Sequence, residues 1–445
     1  MIENKLRVGE PRLCRLVDGN PNTPEAVVML QDTGDAIETT FPLSGMAEPD
    51  DGPYDRWWSQ GAYYGDDPDR EKYSYAPPST MLLYDSGGCV VLVGCHAARR
   101  ISGPAAGTGV VVSDFAVLGT ENLKYDLING MRTESPAFLR WIRRTAIEAD
   151  KITDETGLVQ SMRIDLHETD SIALSRKLNM SMRQRWSSIT VPGGLDVREF
   201  LTFQSFVEQP CSWGEHLQLH VGVLDLVSIA AWRNCAFRSV YVSRADDPLK
   251  MGGATYDRWN EVATHVLPGE DLTDCGGHFL FSYDNMTQGA VDKWFRLRGD
   301  YSRALDYLLR ILRSGHTWSI QSAIMSAIAL EQLGYLIEIK KNGGGKLNDR
   351  DQLSFNNALT VVLDDMTVIP FGVEDVDDWK KRCNRVYMGA KHGDRDEPDH
   401  LTALNTLREN LLVLRYWVAQ QLGVSGDVLN QNLTWDPLAN KWRSS

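Results

Sequence analysis

The chain has 445 residues, 42% of them hydrophobic and 24% charged, which is too long for one compact core and ordinary for a soluble protein of two or three domains. Its opening, MIENKLRVGEPRL, lacks the basic-then-apolar layout of a leader and no apolar run approaches a membrane span, so a cytoplasmic protein with no membrane partner is expected. Seven cysteines, an odd number without CxxC spacing, read as reduced and mostly buried thiols rather than a disulfide framework.

The net charge of −14 argues against a nucleic-acid partner until its distribution is considered. Residues 1–290 carry 26 Lys and Arg against 40 Asp and Glu, a balance of −14, whereas residues 291–445 carry 20 against 20. The acidity belongs to the first part. A neutral C-terminal part with a local basic segment can hold a few nucleotides, weakly and with steep salt dependence.

From Leu13 to about Ala290, short apolar or alternating runs are punctuated by Gly, Pro, Asp and Asn. EAVVMLQD, TMLLYDSGGCVVLVGCH, GTGVVVSDFAVLG, VQSMRIDLHE, SSITV, LDVREFLTF, CAFRSVYVS and HFLFSYD are rich in Val, Ile, Phe, Tyr and Thr and read as strands. MLLYD and CVVLVG joined by SGG form the clearest hairpin. Helices are expected at Pro136 to Ala149 and at Ser212 to Trp232, although the second mixes the two periodicities. Gly45 to Pro78 reads as a long surface loop, in which Trp57, Trp58, Tyr63 and Tyr64 either anchor a partner or pack on the sheet.

After about Tyr283 the pattern changes. Ala290 to Arg313, Thr317 to Lys341, Arg350 to Met366, Val376 to His392 and Asp399 to Leu422 are helical by period, with stops at Gly315, Asn342-Gly343, Pro370, Gly393 and Gly423. Four or five antiparallel helices with short connections make a bundle, so the fold class is α+β: a β-rich domain over 1–288, a helical bundle over 289–425 and a tail over 426–445 that packs back onto the bundle.

GPAAGTG at Gly103 to Gly109 sits between strands and reads as a tight turn rather than a dinucleotide loop. GGGK at Gly343 to Lys346 lacks the spacing of a phosphate loop and reads as a flexible connection. Neither Cys275 with His278 nor His216 with His220 has a second pair at zinc spacing, so no metal and no cofactor is expected.

The segment Val376 to Gly393, VDDWKKRCNRVYMGAKHG, carries the chemistry. Val376, Trp379, Cys383, Val386 and Ala390 define a buried helical face, Asp375 is placed to cap the start and Gly393 to stop the end. Arg385 and His392 are seven residues apart, hence on one face and about 10 Å apart along the axis. With Lys380, Lys381, Arg382 and Lys391 beside them, a proton-transfer group and a phosphate-binding cation share a basic field. The same residues also suit a cationic helix end stabilised by the macrodipole alone.

In order along the chain, HFLFSYDN, VDKWFRL, AIALEQL and a helix ending in Arg and KHG resemble the Apea-like HEPN family, and FLTFQSFVEQPCSWGEHLQLHVGVLDLVSIAAW resembles the end of its β-rich N-terminal domain. The resemblance implies a metal-independent endoribonuclease that acts as an anti-phage abortive-infection effector on RNA, tRNA included. It implies a homodimer or higher homo-oligomer that brings two Arg-x4-6-His motifs into one cleft. Carried over, Arg385 and His392 are catalytic, and Asn384, Lys391, Arg382 and Lys381 support the RNA. The commoner form has a shorter spacing and a polar residue after the Arg; here Val386 follows it, and Asn384 or Lys391 takes that place. The N-terminal domain would be a sensor for a phage-derived protein trigger. Two alternatives stay open: a non-catalytic HEPN scaffold with a β-sandwich recognition domain, and a metal-dependent hydrolase built on the β part's histidines and aspartates.

Overall fold

The computed structural model describes residues 4–17, 26–45, 54–58, 76–267, 277–314, 317–371, 373–392, 394–396 and 398–443. The chain interleaves two compact units: residues 1–134, 203–219 and 237–268 form the first, and 135–202, 220–236 and 269–445 the second.

The first unit contains strands β1 (Arg12–Val17), β2 (Ala26–Asp32), β3 (Ile37–Ser44), β4 (Thr80–Asp85), β5 (Gly88–Val93), β6 (His96–Ser102), β7 (Ala106–Ser113), β8 (Phe115–Leu118) and β9 (Leu127–Glu134). Helix α1 (Pro136–Ile142) and strands β10 (Ile147–Thr153), β11 (Val159–Leu166), β12 (Ile172–Ser175) and β13 (Met180–Val191) follow in the second unit. The long strand β14 (Gly194–Ser212) begins there and ends in the first unit, to which β15 (Ser239–Ser243), β16 (Leu249–Met251), β17 (Ala254–Tyr256) and β18 (Asn260–Thr264) belong. Within the first unit the sheet order is β14-β9-β15-β18-β8-β5-β4-β1-β2-β3-β7-β6, each strand hydrogen-bonded to the next.

The continuous apolar runs of β4, β5 and β8 have a simple cause: both faces of these strands are covered. Met81, Leu83, Val90, Leu92, Ala116 and Leu118 enter one core with Leu16, Leu30 and Phe41. Leu82, Val91, Val93, Phe115 and Val117 enter another with Ile128, Met131 and Val242. The SGG hairpin forms as read, in register Thr80↔Val93 through Asp85↔Gly88. Asp85 accepts the N–H groups of Gly87 (2.7 Å) and Gly88 (3.1 Å), and Gly88 at φ 132° takes a conformation closed to other residues. Gly103 donates to the Ala106 carbonyl in the turn between β6 and β7. Trp57 and Trp58 pack on the sheet around Phe41, while Tyr63 and Tyr64 lie outside the described residues.

In the second unit, α2 (Trp213–Ala231) confirms the helix expected at Ser212 to Trp232; its residues 213–219 count to the first unit. The helices that follow are α3 (Ala290–Asp300), α4 (Ser302–Arg313), α5 (Ile320–Lys341), α6 (Phe355–Asp364), α7 (Val373–Lys391), α8 (His400–Gln421) and α9 (Gly426–Leu433). Ser319, Ser354, Asp399 and Ser425 cap α5, α6, α8 and α9 by accepting from N–H groups of the first turn. Gly423 at φ 85° stops α8.

Four expectations need correction. Ala290 to Arg313 is two helices, broken at Tyr301 where the backbone leaves helical values, so among the described residues six helices rather than four or five fall within 289–425, and a seventh, α9, opens the tail. HFLFSYD is not a strand: Phe279, Leu280 and Phe281 are buried, but Leu280 bonds singly to the Ala230 carbonyl and accepts from Asn432, with no ladder beside it. The helix from Pro136 ends at Ile142, where Arg143 turns left-handed at φ 55°, and Ile147–Thr153 is strand. GGGK is an ordered cap, in which Gly344 N–H donates to the Glu338 carbonyl and Lys346 N–H to the Glu338 carboxylate.

The tail packs back as read. Arg415 is fully buried, forks onto Asp436 at 2.7 and 2.8 Å and donates to the carbonyls of Ile229 and Ala230; Arg408 donates to those of Leu438 and Ala439.

Candidate active site

Helix α7 is positioned by its apolar face. Trp379, Cys383, Val386 and Tyr387 are buried, whereas Val376 is half-buried and Ala390 is exposed, Tyr387 closing the face in its stead. A polar anchor accompanies them. Asn410 on α8 accepts from the Trp379 indole N–H (2.9 Å) and the Cys383 thiol (3.4 Å), and donates to Ser326 on α5 (3.0 Å). Burial pushes the Cys383 thiol up to about 12. The helix begins at Val373, so Asp375 lies in the first turn rather than capping it, and Gly393 lies outside the described residues.

This anchoring leaves the opposite side of α7 to solvent, and Arg385, Lys391 and His392 are all exposed. Neither the Arg385 guanidinium nor the His392 imidazole meets a carboxylate among the described residues. The His392 N–H still donates to the Met388 carbonyl (3.0 Å), and its own carbonyl accepts from Arg395, which holds the residue at the very end of the helix.

The supporting residues divide. Arg382 bridges Asp378 on its own helix and Glu409 on α8 (2.7 Å), which commits it to internal carboxylates. Lys391 lies over the Tyr387 ring, 5.2 Å from its centroid. Lys381 is exposed and Asn384 half-exposed.

Beside Arg385 is a groove of about 560 Å³ that the sequence did not reveal. Gly389, Asp394, Arg395, Asp396, Pro398, Asp399 and Thr402 line it with Arg385. Gly389 is required by contact: a Cβ there would stand 2.7 Å from the Asp396 carbonyl oxygen, so the returning loop can lie against α7 only at a glycine. Hydrogen bonds from Thr402 hold the Asp399 carboxyl below its usual range. Three carboxylates against two guanidinium groups make this groove less basic than the helix beside it. His392 is not among its lining residues.

Among the described residues no group of three or more His, Cys, Asp and Glu is placed to hold a metal ion. His216 instead bonds Ser205 at 2.7 Å inside the first unit, and Cys275 lies outside the described residues.

The family model described as ApeA N-terminal domain 1 matches residues 18–294, more than half of the chain. The match ends within α3, so the helices that carry Arg385 and His392 lie beyond it. No curated protein and no solved structure matches the chain.

Proposed function

The chain belongs to the ApeA family, which marks it as an anti-phage defence protein, and from that membership we propose that it is a metal-independent HEPN endoribonuclease acting in abortive infection. The observation that carries the reading is the solvent exposure of Arg385 and His392 on one side of a helix whose other side is locked into the bundle.

RNA brings its own nucleophile, the 2′-hydroxyl beside each scissile phosphate. Cleavage needs a base for that hydroxyl, an acid for the departing 5′-oxygen and positive charge on the phosphorane. Arg385 supplies a planar donor fork for the phosphate oxygens. His392 supplies proton transfer. One imidazole does not serve as base and acid in the same step, so a homodimer presenting two His392 side chains to one phosphate divides the roles. The products are a 2′,3′-cyclic phosphate and a 5′-hydroxyl. The acidic β-rich part, 1–288, is assigned to sensing a phage-derived protein, and the protein acts in the cytoplasm.

A second reading has its own support. Asp394, Asp396 and Asp399 around Arg385 suit a non-catalytic bundle that binds a basic partner. Purified protein incubated with total RNA in EDTA separates the two. Wild type should yield cyclic-phosphate ends, with His392→Ala and Arg385→Ala each slower by about 10² or more. The same two variants should lose the toxicity of overexpression. Toxicity retained by both would leave the scaffold reading standing.

A further inference from the structure

We infer that the outer face of α4, through Arg303, Tyr307 and Arg310, continues across to Lys391 on α7 as a track that binds single-stranded RNA and delivers it to the α7 helix end. The inference rests on the ribonuclease reading and adds to it the surface that holds the substrate away from the scissile phosphate.

Arg303, Tyr307 and Arg310 stand at i, i+4 and i+7, one face of α4, with the two arginine backbone positions about 10 Å apart along the axis. Both arginines are exposed, and Arg310 lies over the Tyr307 ring at 5.9 Å from its centroid. Helix α4 packs on α5, and α5 on α7. From α5, Glu331 accepts the Tyr387 hydroxyl at 3.0 Å, and Tyr387 carries Lys391 over its ring. Helix α5 therefore lies against both α4 and the part of α7 that carries Tyr387 and Lys391, and burial and then the Glu331 charge push the Tyr387 phenol up to about 12.

Charge pairing within the bundle is uneven among the described residues, and the three cations of the track are among those without a carboxylate. Lys340, Lys341, Lys346 and Arg382 are each held by a carboxylate. Arg303, Arg310 and Lys391 meet none among the described residues. Asp306, about 60° round the helix from Arg303 and one turn before Arg310, is exposed and forms no ion pair with either among the described residues, while the buried Asp225 is bridged by Arg298 and Arg313. Unpaired cations beside a half-buried phenol are what sequence-tolerant binding of an unstacked strand requires: charge for the backbone and a ring for a base.

The test uses the full chain in a His392→Ala background, with a 5′-fluorescein oligo(U) 12-mer followed by anisotropy at 50 to 200 mM salt. Arg303→Glu with Arg310→Glu should weaken binding at least tenfold and flatten the log–log salt dependence by about 1.4, the share of two phosphate contacts on a single strand. Tyr307→Leu should weaken binding at least fivefold with the slope unchanged, as loss of a stacked base requires. Arg303→Lys with Arg310→Lys should keep the slope. Affinity and slope equal to the parent in the charge-reversed variant, with an unaltered thermal melt, would overturn the track. If that variant, with His392 restored, cleaves RNA as fast as wild type while His392→Ala does not, the track fails and the ribonuclease stands. If it loses oligo(U) binding while no protein cleaves RNA, the track stands and the ribonuclease fails.

Discussion

Single side chains in this protein are decided by what their partners leave over. Asp85 shows the rule in the hairpin of β4 and β5. Burial opposes its ionisation, but Arg12 at 2.6 and 2.7 Å and the N–H groups of Gly87 and Gly88 outweigh that cost and hold the carboxyl below its usual range. A depressed native pKa stabilises the fold at every pH above the ordinary carboxylate value of about 3.9, and that contribution fades as pH falls through the lower native value. Asp85→Asn should therefore cost roughly 1.5–3 kcal/mol at pH 7 in a denaturant titration, and the gap from wild type should close below about pH 4. A gap that stays constant with pH would mean that the turn geometry, not the charge, supplies the stability. Arg385 is the opposite case, a cation to which no neighbour among the described residues lays claim.

At the scale of elements, helix α7 is where the packing and the proposed chemistry meet, on opposite sides of one helix. Trp379 and Cys383 share one acceptor, the Asn410 side-chain oxygen, so Asn410→Ala leaves a buried indole N–H unpaired and opens a small cavity. That should cost about 2–4 kcal/mol and speed alkylation of Cys383, whose thiol is fully buried in the native protein. Mass-spectrometric labelling with N-ethylmaleimide should modify Cys383 no faster than the buried Cys95 in wild type and faster than Cys95 in the variant; equal rates in both proteins would show that Asn410 does not hold the helix. What could be read from sequence follows the same division. The apolar period places Trp379, Cys383 and Val386 inward and so leaves Arg385 and His392 outward. It cannot show that Glu409, 27 residues on, captures Arg382, or that Gly389 admits the returning loop, because both depend on distant chain folding back. The HFLFSYD segment misleads for a related reason. Its buried aromatic residues match the composition of a strand, but the carbonyl of Ala230 and the amide of Asn432 take the backbone bonds that a ladder would need.

For the whole molecule, the consequential question is how many chains make one site. Helix α5 corrects the expectation that no apolar run approaches a membrane span: by length and composition it could cross one, and half of the apolar window is buried inside the protein. The exposed end of α7 is a different matter, because a lone imidazole there cannot take one proton and give another in the same step. If cleavage needs two His392 side chains, specific activity must follow the dimer population. Sedimentation across a dilution series gives that population, and cleavage of a fluorescent RNA gives turnover per chain on the same samples. Activity per chain should be constant while the protein is dimeric and should fall in proportion to the dimer fraction as it dissociates. Mixing wild type with excess His392→Ala should then inhibit, since mixed dimers carry one imidazole where the step requires two. Turnover per chain that persists in the monomer, or mixing that only dilutes the wild-type rate, would require acid and base to come from one subunit, and Lys391, one residue before His392 at the helix end, would be the group to replace next.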